Sequence, residues 1–193
     1  MFDQLVTNNW DVIDENHGKG VAETLFEQEV QRLEELLLDY DWNIEQNTIM
    51  GGGGKTLQAI HYNKMFDDEG WAEETVTIKK RASFKTGMPY REWEFATHKI
   101  DHCMVNDEHK LCMLEIEWNN KDPFLDRDFA AFTSLYNDGI IELAIFITRG
   151  STMTPDNFVG RVRQYFADYG VTAINDFDRL GNDRFIIDGK KRF

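Results

Sequence analysis

The chain has 193 residues and 22.6 kDa, long enough to bury a core, and 41% hydrophobic with 13% aromatic residues supply one. Against 21 Lys+Arg stand 35 Asp+Glu, and a net charge of −14 excludes a general nucleic-acid coat protein or an anionic-membrane binder, though not an enzyme with a local basic surface. Cys103 and Cys112 are too few for a disulfide framework or a four-thiolate zinc site. No apolar run approaches a membrane span, and Met1-Phe2-Asp3-Gln4 lacks the shape of a signal peptide. The expectation is one soluble, cytoplasmic domain over 1–193.

Val21 to Tyr40 carries Val21, Leu25, Phe26, Val30, Leu33 and Leu36-Leu37 at helical spacing, with acidic residues on the other face. The run Gly51-Gly52-Gly53-Gly54-Lys55-Thr56 opens a second helix, predicted from Thr56 to Phe66. From Glu74 the pattern alternates, and Val76, Ile78 and Lys79-Lys80-Arg81 read as a strand leading to an exposed turn before Gly87-Met88-Pro89 breaks the chain. Strands follow at Trp93–Asp101 and Leu111–Glu117. Asp122 and Pro123 start a helix that runs to Tyr136 and closes at Asn137-Asp138-Gly139. Ile140–Thr148 is nearly all apolar, which predicts a strand buried on both faces. Strand, helix and apolar strand in succession make a βαβ unit, so the two strands should be parallel. A last helix, from Thr154-Pro155-Asp156 to Asp168, precedes a short tail strand and a basic end. The order is that of an α/β domain with a mixed sheet flanked by helices.

Glu115 and Glu117 lie two apart on a strand, hence on one face, inside an otherwise apolar segment where carboxylates are costly. A hairpin with the preceding strand would bring Asp101 beside Glu115. Such oxygens, with a backbone carbonyl and waters, suit a hard cation such as Mg²⁺. An E-x-E on a strand also fits a solvent-facing edge paired to Lys or Arg, and the neighbouring segments decide between the two.

Three segments bear on that choice: Ile100-Asp101; Leu114-Glu115-Ile116-Glu117-Trp118-Asn119-Asn120-Lys121-Asp122-Pro123-Phe124; and Leu143-Ala144-Ile145-Phe146-Ile147-Thr148-Arg149-Gly150. In kind and order they resemble the BglII/BamHI group of type II restriction endonucleases. Trp71-Ala72-Glu73-Glu74 is similar to that family's Trp-x-x-(Glu/Asn) element, and Gly51–Thr56 to its Gly-rich run before a helix. The resemblance spans about 51–151, the expected catalytic core. No proline precedes Asp101, and the stretch from Glu74 to Asp101 is longer than the family's usual spacing.

The resemblance implies a restriction-endonuclease-like fold and Mg²⁺-dependent hydrolysis of double-stranded DNA, leaving 5′-phosphate. It implies Asp101 and Glu115 as direct metal ligands, the Ile116 carbonyl as a third, and Glu117 positioning or deprotonating the attacking water and touching a second metal. Glu74 would be an extra acidic site residue. It further implies a homodimer matching a two-fold symmetric site, joined through helix 21–40 or the crossover helix, and a cognate DNA methyltransferase. Gly53, Gly54, Lys55 and Thr56 are expected at a DNA phosphate, and Asn119, Asn120, Lys121, Arg149 and Ser151 near DNA. Lys79-Lys80-Arg81, Arg127, Arg161 and Arg163 are further basic candidates. Alternatives are a non-cutting or partner-dependent DNA-binding module and a repair or modification-dependent nuclease. The glycine run is no P-loop, because Ile49 stands where the first glycine is required. His98, His102, Cys103, His109 and Cys112 match no zinc-finger spacing.

Overall fold

The computed structural model describes residues 2–8, 10–40, 57–96, 99–117, 122–148, 150–151, 154–168 and 170, with 186–187 and 190–191. In chain order come helices α1 (Asp3–Thr7), α2 (Gly18–Leu25), α3 (Glu27–Leu38) and α4 (Leu57–Asp68), then strands β1 (Ala72–Glu74), β2 (Thr77–Ala82), β3 (Arg91–Ala96), β4 (Ile100–Val105) and β5 (Leu111–Glu117). Helix α5 (Asp122–Asn137), strand β6 (Leu143–Thr148), helix α6 (Pro155–Asp168) and two-residue strands β7 (Ile186–Ile187) and β8 (Lys190–Lys191) complete it. The chain divides into two compact units. One holds Ile13–Arg32 and Glu69–Thr148; the other holds Phe2–Val12, Leu33–Asp68 and Arg149–Phe193.

The first unit contains a four-stranded mixed sheet in the order β1-β4-β5-β6. β4 and β5 form the expected antiparallel pair, His102 opposite Leu114 through Val105 opposite Leu111. β5 and β6 are parallel, as the βαβ argument requires, with Cys112 opposite Leu143 through Glu117 opposite Thr148. α5 packs on β5, and Ile100, Cys103, Met113, Phe132, Leu135 and Ile141 close the core between them. Leu135 is wholly buried there, so Leu135→Ala is expected to cost about 2–5 kcal/mol through lost burial and an unfilled cavity, read as a lower denaturant midpoint. No helix among the described residues is long and apolar enough to cross a membrane.

Three expectations change. The single helix from Val21 to Tyr40 is two, because Phe26 leaves helical dihedrals at φ −133° and ψ 30°. Its N–H still donates to the Ala22 carbonyl and its carbonyl still accepts from Val30, so the break is local. The strand expected over Trp93–Asp101 is also two. β3 pairs with β2 and is exposed along its whole length, whereas β4 pairs with β1 and β5 and begins at the wholly buried Ile100. β6, expected to be buried on both faces, is an outer strand of the described sheet, with Ala144 exposed.

The second unit is built around aromatic contacts. Tyr40 stacks on Tyr62 at 4.3 Å between ring centroids and meets Trp10 edge-on at 5.9 Å. Burial raises the Tyr40 phenol far above its ordinary pKa.

Candidate active site

Alternation along β5 puts Met113, Glu115 and Glu117 on one face. Helical spacing on α5 puts Asp128, Phe132 and Leu135 on one buried stripe. These surfaces meet, so the layer that is apolar at Met113, Phe132 and Leu135 turns acidic at the C-terminal end of β5. There Glu115 is 3%, Glu117 9% and Asp128 0% exposed. One carboxylate oxygen from each lies within 4.8 Å of the others. Asp128 is not among the residues expected from the sequence; its signal is a charged residue four before Phe132 and seven before Leu135 on the core stripe.

Asp101 stands beside this group: its backbone N–H donates to Glu115 Oε1 at 3.3 Å, and its carboxylate is close enough to repel that of Glu115. Glu74 pairs with Ile100 at the end of β1, one residue from Asp101 on the neighbouring strand. Trp71, wholly buried, anchors the start of that strand, while Glu74 is exposed. Ile116 lies between the two glutamates, opposite Ile147. The β4–β5 pairing ends at His102 opposite Leu114, while the β5–β6 pairing continues to Glu117 opposite Thr148. Thr148 Oγ1 donates to the Glu117 carbonyl at 2.9 Å and ties that end to β6.

The electrostatics follow from crowding. Burial, then the charges of Asp101 and Asp128, push the Glu115 carboxyl up to about 9. Burial and the hydrogen-bonded Asp128 push Glu117 up to about 7, with Arg127 opposing. Arg127 donates from Nε and Nη2 to Asp128 Oδ1 at 3.0 and 2.9 Å. Burial, then the charges of Glu74 and Glu115, raise the Cys103 thiol to about 12. A group of hard oxygens that must take up protons in the absence of a cation is the donor set a small divalent ion needs.

A family model described as restriction endonuclease BglII/BglIII matches residues 10–183. The chain belongs to the BglII/BglIII restriction endonuclease family. No curated protein and no solved structure matches it. The enzyme is a type II site-specific deoxyribonuclease whose substrate is double-stranded DNA. Restriction endonucleases generally use a divalent metal, and this one carries a buried carboxylate cluster.

Of the residues expected at DNA, Gly53, Gly54, Lys55, Thr56, Asn119, Asn120, Lys121 and Arg149 lie outside the described residues. Ser151 is described: its N–H and Oγ both donate to Asp11 Oδ2 at 2.7 Å. Those bonds hold the Asp11 carboxyl below its ordinary pKa. A phosphate oxygen at Ser151 would have to replace the Asp11 carboxylate.

Proposed function

We propose that the enzyme cuts both strands of a short DNA site by Mg²⁺-dependent phosphodiester hydrolysis, leaving 5′-phosphate and 3′-hydroxyl ends. The observation that carries this reading is the buried group Glu115, Glu117 and Asp128, with Asp101 alongside. Glu115, Asp101, Glu117 and the Ile116 carbonyl would hold the cation. When bound, Mg²⁺ supplies positive charge against the anionic phosphate and makes the attacking water more acidic. Glu117 would hold that water and take its proton. Asp128, held at Oδ1 by Arg127, lies beside Glu117 in the cluster and would fix the position of its carboxyl. Glu74, at the outer edge, would assist from the solvent side.

Gly53, Gly54, Lys55 and Thr56 would bind phosphate, and Asn119, Asn120, Lys121 and Arg149 would lie along the duplex, with Ser151 after exchange of Asp11. Two copies related by a two-fold axis would match a palindromic site. The exposed stripe of α5 at Phe129, whose ring also packs on Phe146 of β6 at 4.2 Å, and Tyr136 is the contact we favour. A methyltransferase of the same specificity would protect the host.

Incubation of the purified protein with unmethylated phage DNA and Mg²⁺ tests the reading. Discrete fragments whose ends carry 5′-phosphate are expected. A smear would remove site specificity, and binding without any cutting would favour a module that needs a partner subunit.

A further inference from the structure

β2 and β3 form a two-stranded antiparallel ribbon, Thr77 opposite Ala96 through Ala82 opposite Arg91. The ribbon occupies the long stretch between Glu74 and Asp101. β1 ends at Glu74 and β4 begins at Ile100, and those two residues pair, so the base of the ribbon stands at the acidic edge of the sheet.

From Thr77 to Ala96 there are five basic residues and two acidic ones, a local +3 in a chain of −14. Lys79 is paired to Glu94 at 3.1 Å and Lys80 to Asp138 at 2.7 Å. The Arg81 guanidinium lies 4.0 Å from the Tyr90 ring centroid, and Lys85 and Arg91 make no ion pair among the described residues. Tyr90, Trp93, Phe95 and Phe84 are all exposed. A two-stranded ribbon is marginal in water, and this one presents aromatic surface with positive charge to solvent while only Ile78 at its base enters the core.

We propose that this ribbon lies in a groove of the DNA duplex beside the scissile phosphate, its two faces toward the two walls of the groove: Arg91 and Trp93 on one, Arg81 and Tyr90 on the other, with Lys85 at the turn. The positive charge of the ribbon is complementary to a phosphate backbone. The major groove is wide enough for a two-stranded ribbon. The proposal rests on the acidic cluster being the cleavage site and extends that reading to how the duplex is held.

The test measures duplex binding by the whole protein with Ca²⁺ in place of Mg²⁺, over a series of salt concentrations. The triple variant Arg81→Ala, Lys85→Ala, Arg91→Ala is expected to reduce the slope of log K against log salt by about 0.9 per lost phosphate contact, up to about 2.7. Trp93→Ala should weaken binding about tenfold with little change in slope. Single Lys85→Glu and Arg91→Glu variants repeat the measurement should the triple variant melt early. If the parent cuts at discrete sites while all variants keep its affinity and slope, the ribbon is not at DNA and the cleavage assignment stands. A parent that neither binds nor cuts overturns both. Unchanged slope with a fall to half the sedimenting mass would make the ribbon a contact between copies and overturn the proposal.

Discussion

Glu115→Gln is expected to lower the rate of DNA cleavage at least about a thousandfold while leaving the duplex bound, because several kcal/mol of charge stabilisation depend on the cation that this carboxylate would hold. The substitution keeps the side chain's size and keeps an amide oxygen to accept the Asp101 N–H, so the strand need not move. It removes a carboxyl that sits 3% exposed beside Asp101 and Asp128. The metal-free variant should therefore melt several degrees above the parent at pH 8, even as it loses activity. Cleavage by gel and melting by circular dichroism read the two effects. A Glu115→Gln protein that still cuts would take Glu115 out of the site, and one that melts lower than the parent would contradict the crowding described above.

The melting temperature of the metal-free parent should fall as pH rises from about 5 to about 9. Glu115 and Glu117 have folded-state values near 9 and 7, against roughly 4.3 in the unfolded chain. Between those limits the folded protein binds more protons than the unfolded one, so stability is greatest below the unfolded value and is lost as pH rises through the folded ones. A divalent cation replaces the protons, and its stabilising effect should be larger at pH 8 than at pH 6. In Glu115→Gln both slopes should flatten. Thermal scans with EDTA and with Mg²⁺ across that range would show it, and a parent whose melting point ignores both pH and cation would exclude the cluster as a metal site.

How far the sequence reveals this arrangement depends on what fixes each element. β5, α5 and β6 were legible because strong local patterns and the handedness of a βαβ unit agree. Asp101 beside Glu115 followed from the same hairpin logic. The division of Trp93–Asp101 was not legible: Thr97, His98 and Lys99 contain no glycine or proline, and the pairing partner is β2 at Ala96 but β1 at Ile100. Asp128 was hidden for a different reason. Beside Asp126 and Arg127, Asp128 looks like any solvated helix residue until Phe132 and Leu135 are seen to share its face. β6 looked doubly buried because apolar composition does not say how many neighbours a strand has.

The bond between Asp11 and Ser151 joins residues 140 positions apart. At roughly 5–20 residues per second, a ribosome delivers Ser151 about 7–28 s after Asp11. The β4–β5 hairpin and the α5 crossover need only near neighbours and can close while the chain is still being made. The Asp11 carboxylate must wait for Ser151 to be made, so that bond forms after the acidic strand can already have its neighbours.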